Sequence, residues 1–126
     1  MTPAVELLKR QRRFLQASVL RRNPGPSWHT PNHVIVEEDA YRLRVFETAR
    51  CASAIPLLIV PPEVNRSHIV DFGEGQSLVR TALDAGFARV GVIDWRSATG
   101  RARQRGVDDS LGTILDAVDA LGGRVH

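Results

Sequence analysis

The residues of this chain with the type and spacing to do chemistry fall between Cys51 and Asp94. Cys51 stands in Arg50-Cys51-Ala52-Ser53, with no strand-to-helix elbow around it and no histidine close in sequence, so it reads as a structural thiol rather than a nucleophile. His29, His33, His68 and His126 lack metal-ligand spacing, and a single cysteine adds little to them, so no metal site is expected. Asn65 and Asp71 carry short polar side chains of the kind that tie a loop to nearby backbone, and a loop-structuring role is expected of both. One constellation suits a nucleotide. Gly73 and Gly75 would let the backbone approach a cofactor, and Asp94, ending the next strand, is placed like a carboxylate that holds ribose hydroxyls.

These residues must be positioned by the stretch from Pro56 to Arg96. It opens on a continuous apolar run, Leu57-Leu58-Ile59-Val60, halted by Pro61-Pro62. A helix-period segment over Gln76–Ala85 follows, with Leu78, Val79, Ala82 and Leu83 as its inner face and Gly86 as its cap. A second apolar run lies within Arg89–Asp94. Apolar run, helix, apolar run is the pattern of a strand–helix–strand unit in a buried parallel sheet, and loops after such strands commonly carry function. Upstream, His33–Glu37 and Tyr41–Glu47 alternate around Glu38-Asp39-Ala40 and predict a β-hairpin with one wet face. Downstream, a helix starting at Asp108, Asp109 or Ser110 presents Leu111, Ile114, Leu115, Val118 and Leu121 inward until Gly122-Gly123 stops it. Arg124-Val125-His126 reads as the start of a further strand. The fold expected is α/β with a partly parallel sheet.

The length, 126 residues, suits one compact domain, and 43% hydrophobic with 25% charged residues is globular rather than disordered composition. No apolar run approaches the length of a membrane span, no secretory signal is evident, and one cysteine precludes an internal disulfide; a cytoplasmic protein is expected. Charge is uneven. Lys9, Arg10, Arg12, Arg13, Arg21 and Arg22 against Glu6 give the first 22 residues +5, leaving −2 for the rest of a chain whose total is +3. Val5, Leu8, Leu15 and Val19 recur at helical spacing among these cations. Residues 4–20 therefore read as a basic amphipathic helix, residues 1–24 as helix and linker, and residues 25–126 as the domain. That distribution argues for a local electrostatic role, not a nucleic-acid-binding surface.

Read in order, several pieces resemble polyhydroxyalkanoate synthases, a branch of the α/β-hydrolase fold. They are Thr30-Pro31 with the hairpin from Val34 to Phe46; LLIVPPEVNR with Ile69 and Asp71; Ser77-Leu78-Val79-Arg80 with Gly86-Phe87; Ile93-Asp94-Trp95-Arg96; and Asp108-Asp109 with Leu115-Asp116-Ala117-Val118. The chain differs at Ser67 and His68, where the family usually has aromatic residues. The resemblance implies the N-terminal half of an α/β-hydrolase core: a β-hairpin, then parallel β-α-β-α, behind the basic helix. It implies acyl transfer from hydroxyacyl-coenzyme A to a growing polyester, by a cysteine in a G-x-C-x-G turn activated by a histidine and an aspartate. No G-x-C-x-G or G-x-S-x-G occurs here, so none of that triad is among these residues. What the chain could supply is one side of an oxyanion hole. Pro61 and Pro62 have no N–H, which leaves the backbone of Glu63 first and Val64 second.

The expectation is thus a truncated or split synthase-like protein, inactive alone, that needs no cofactor. Its partner would be a second chain completing the sheet, or a polyester granule. Two alternatives stand beside it. Ile69-Val70-Asp71-Phe72-Gly73-Glu74-Gly75 also resembles the first motif of S-adenosylmethionine-dependent methyltransferases, with Asp94 as the ribose acid. A non-catalytic module that docks on a granule or partner synthase is the other.

Overall fold

The computed structural model describes residues 27–49, 54–63, 66–96 and 105–126. The predicted basic helix over residues 4–20 and Cys51 lie outside them. So do Val64 and Asn65.

The order is β1 (His33–Glu37), β2 (Tyr41–Glu47), β3 (Leu57–Ile59), a 3-10 turn (Ser67–Val70), β4 (Asp71–Gly73), β5 (Gln76–Ser77), α1 (Leu78–Asp84), β6 (Arg89–Trp95) and α2 (Val107–Ala120). The main sheet runs β1-β2-β6-β3, and β4 with β5 makes a separate small ribbon. β1 and β2 form the antiparallel hairpin that their alternation predicts, and β3 pairs parallel to β6 with Leu57 opposite Val90 and Ile59 opposite Val92. β6 also pairs antiparallel with all of β2, from Tyr41 opposite Trp95 to Glu47 opposite Arg89. The protein is mixed α/β with a mixed sheet.

The two-residue period sorts the side chains of β2 and β6 between two cores. Tyr41, Leu43, Val45 and Ile93 pack with Ala117 and Leu121 of α2; Phe46, Val90 and Val92 pack with Val79, Ala82 and Leu83 of α1. The helices therefore cover opposite faces. α1 is capped by Ser77, whose hydroxyl accepts from the Arg80 N–H at 2.9 Å. It ends at Gly86 with φ 111°, where the Phe87 N–H reaches the Ala82 carbonyl (3.2 Å) and the Gly86 N–H the Leu83 carbonyl (3.2 Å). Those bonds close the helix as a Schellman motif, which a residue with a Cβ would strain.

Two expected inner faces are rotated in the structure. Leu78 is 54% exposed, because it opens the helix beside its cap and only Val79, Ala82 and Leu83 turn to the sheet. In α2 the contact line is Thr113, Ala117 and Leu121, whereas Leu111 and Leu115 stand 53% and 66% exposed. Leu121 packs directly on a glycine of β6: a Cβ on Gly91 would stand 2.7 Å from Leu121 Cδ1. Arg105 assists by donating to Thr113 Oγ1 (2.9 Å) while lying over the Trp95 ring.

The last residue extends the sheet pattern. The His126 N–H donates to the Pro56 carbonyl (2.9 Å) and its carbonyl accepts from the Leu58 N–H (3.0 Å), the bond pair of a parallel bridge on the outer edge of β3.

Filling the space above Gly91 should destabilise the fold without altering its topology. Gly91→Val is expected to lower unfolding free energy by about 1–3 kcal/mol, read as a shift in urea midpoint, with Gly112→Ala on the open side of α2 near neutral.

Candidate functional site

β3 and β6 run parallel, so the loops that follow them emerge at the same end of the sheet, the usual location of sites in open α/β folds. The Pro61-Pro62 stop leaves residues 60–63 without secondary-structure bonds of their own, and side chains hold them instead. The Trp95 indole Nε1–H donates to the Pro61 carbonyl at 2.7 Å. The Trp95 backbone N–H donates to Ser67 Oγ at 2.9 Å, and Ser67 is fully buried. One tryptophan at the end of β6 thereby fixes both the loop after β3 and the 3-10 turn that follows it. Ser67, where larger aromatic residues were expected by resemblance, is small enough to enter and polar enough to accept that bond. Glu63 lies beyond Pro62, exposed, with its carboxylate accepting from the Ser110 hydroxyl in the first turn of α2.

Below this loop lies the most heavily bonded buried acid. Asp71 has no exposed surface. Its Oδ2 accepts from the Thr30 N–H (2.7 Å), and its Oδ1 accepts from Thr30 Oγ1 (2.8 Å) and Ser77 Oγ (2.6 Å). The same Ser77 caps α1, so Asp71 joins the segment entering β1, the 3-10 turn and the helix in one knot. Neutral donors satisfy it on every side, which is what a buried carboxylate requires when no cation is at hand.

The residues of the glycine constellation are placed differently from what a nucleotide loop needs. That reading asks for an extended strand at His68–Asp71 running into the glycines. Residues Ser67–Val70 form the 3-10 turn, and Gly75, with φ 76°, turns the β4–β5 ribbon. Asp94 is occupied. Its Oδ2 accepts from Arg44 Nε at 2.7 Å, and the guanidinium also donates to Asn32 Oδ1 (3.0 Å) and lies 5.1 Å from the Trp28 ring centre. Both partners are largely buried, so this ion pair sits in a less screened setting than a surface one.

Among the described residues no group of three or more histidines, cysteines, aspartates or glutamates is placed to hold a metal. No helix of the described residues is long and apolar enough to cross a membrane. His68 Nδ1 is buried without a hydrogen-bond partner, its ring tilted against Phe72. Sequence reasoning singled out Glu63, Asp71 and Asp94, but missed Trp95 as the brace of the loop, Thr30 and Ser77 as the donors to Asp71 and Arg44 as the partner of Asp94. Collinearity with other motifs was the hint for Thr30-Pro31, Ser77 and Trp95.

A mixed sheet with helices on both faces and a proline-stopped loop at the carboxyl end of a parallel strand defines an α/β scaffold. No family model matches the chain. It is similar to poly(3-hydroxyalkanoate) polymerase 1 of Ectopseudomonas oleovorans, at 34% identity over 54% of this chain and 12% of that protein. The poly(3-hydroxyalkanoate) polymerase subunit PhaC of Haloferax mediterranei is 33% identical over 69% of the chain and 18% of its own length. The corresponding subunit of Synechocystis is 35% identical over 73% of the chain and 25% of its own length. The chain is polyhydroxyalkanoate-synthase-like, and the matched stretch spans a quarter or less of those relatives.

Removing the Asp71 carboxylate strands buried donors. Asp71→Ala should cost about 3 kcal/mol, the loss from leaving the Thr30 and Ser77 donors without an acceptor, against about 1 kcal/mol for Ser77→Ala, which removes a cap. Urea unfolding of both variants reads the difference, and equal losses would mean Asp71 acts only through the cap.

Proposed function

We propose that this chain supplies the front part of a polyhydroxyalkanoate-synthase-like α/β-hydrolase core, and that the reactive groups for acyl transfer come from polypeptide packed against its β3 edge. The observation that carries this reading is the parallel β3–β6 pair with its Trp95-held loop, in a chain similar to several poly(3-hydroxyalkanoate) polymerases. The substrate class is a hydroxyacyl thioester of coenzyme A. The backbone N–H groups of Glu63 and Val64 are the candidate donors to the oxyanion, and Asn65 with Asp71 structure the loop that presents them. Such donors stabilise charge only where a nucleophile generates it, so the chain alone is inactive. A cytoplasmic setting fits the thioester substrate and the single cysteine.

Backbone geometry supports a partner surface on the outer edge of β3. In a strand, residues two apart point their N–H and C=O groups to the same side. Because Leu58 faces outward to His126, Val60 faces outward as well. A partner strand lying parallel to β3 beyond that bond pair meets the Leu58 carbonyl and the Val60 N–H. Val107, Leu111 and Leu115 on α2 are exposed, as are the apolar atoms of Val60, and burying them accompanies completion of the sheet.

Coenzyme A release from 3-hydroxyacyl-coenzyme A should stay at background for the purified chain. It should appear when the Synechocystis polymerase subunit lacking its matched stretch is added; turnover by the chain alone overturns the proposal. Val60→Pro deletes the outward N–H while leaving the β6 side of β3 intact. It should weaken that association at least about tenfold, the equivalent of one well-made hydrogen bond, measured by isothermal titration.

A further inference from the structure

A second apolar surface lies on the opposite side of the molecule from α2. Ile69, Phe72 and Leu78 are 55%, 61% and 54% exposed, and together with Gln76 and Thr81 they line a shallow open depression beside α1. Scattered apolar side chains on a surface are ordinary; three large ones lining one depression mark a place where something packs.

The geometry points to the occupant being the chain's own basic amphipathic segment, residues 4–20. Its tether ends at the patch. The Thr30 N–H and hydroxyl are bonded to Asp71, and the His29 N–H donates to the Asp71 carbonyl (3.3 Å), so the chain enters the fold directly beside Phe72. Trp28 packs against Phe46 on the α1 face, so the described chain begins on this side of the sheet. Residues 21–26 span at most about 20 Å when fully extended. A segment held that close has an effective concentration of the order of millimolar, so modest contact suffices to seat it. The chemistry also matches. Val5, Leu8, Leu15 and Val19 repeat at helical spacing, giving a stripe that lies in an apolar groove while Lys9, Arg10, Arg12 and Arg13 remain in water. The docked segment covers Phe72 and Leu78, and it does so whether or not the chain takes part in acyl transfer.

Limited trypsin digestion of the full chain reads this directly, because the segment carries the cleavable bonds after Lys9, Arg10, Arg12 and Arg13. Docking should slow cleavage there at least tenfold relative to a Phe72→Asp/Leu78→Asp variant. Both side chains are more than half exposed, so that variant should keep the parent far-UV circular dichroism. Should it unfold, Leu8→Asp/Leu15→Asp removes the stripe instead and should accelerate cleavage equally. Leu111→Asp/Leu115→Asp on α2 should leave the rate unchanged. Equal cleavage in parent and stripe variants overturns the proposal. Protection that grows with protein concentration also overturns it, by assigning the patch to a second copy. So does protection that appears only with anionic phosphatidylglycerol vesicles or polyhydroxybutyrate particles present.

Discussion

β6 is the strand on which every other element depends. It is paired along its whole length with β2 and over its first half with β3, and its alternate side chains enter both cores. Val90 and Val92 meet α1, Ile93 meets α2, and Gly91 sets how near α2 can come. Its end does as much as its middle. Trp95 uses its backbone N–H on Ser67 and its indole N–H on Pro61, so the position of the central strand is transmitted to the loop after β3 with no intervening flexible residue. A half-buried tryptophan whose N–H is satisfied by a loop carbonyl combines large apolar contact with one directional bond.

The double proline explains why such bracing is needed. Pro61 and Pro62 have no N–H to donate to a strand ladder. The chain must therefore leave the sheet at Val60 with its carbonyls unpaired by regular structure. The Pro61 carbonyl is met by Trp95, the Glu63 carboxylate by Ser110 and Ser67 by the Trp95 backbone, and beyond them one carboxylate, Asp71, takes donors from Thr30 and Ser77.

Local pattern and long-range contact were legible to different degrees. The apolar runs at Leu57 and Val90, the hairpin, Gly86 and Gly122 could all be read because each reflects a rule acting within a few residues. The β4–β5 ribbon could not. It uses strands of three and two residues, too short to show a period. The inner face of α2 was legible in part: Ile114 and Leu121 pack on the core, whereas the leucines at 111 and 115 outweigh Thr113 and Ala117 on any hydropathy scale and yet stand exposed. At the site, Asp71 and Asp94 stood out as residue types. Their partners Thr30 and Arg44 lie 41 and 50 residues away in sequence, and no local rule connects them.

Asp94 shows why residue type at a strand end does not by itself define a ligand site. A carboxylate there can face solvent and bind hydroxyls, or turn to the sheet and pair with a cation, and the neighbouring strand decides between these. Arg44 stands opposite Val92 on β2, two residues from the Asp94 pairing with Arg42, and projects on the same face. Diagonal neighbours of this kind lie within reach of a long side chain. Once Trp28 and Asn32 hold the guanidinium, the acid has a partner at 2.7 Å, and freeing it for a ribose would leave a largely buried cation uncompensated. Antiparallel pairing of β2 with β6 thus gives Asp94 its cation partner across the strands, and the pair ties the end of β6 to the middle of β2.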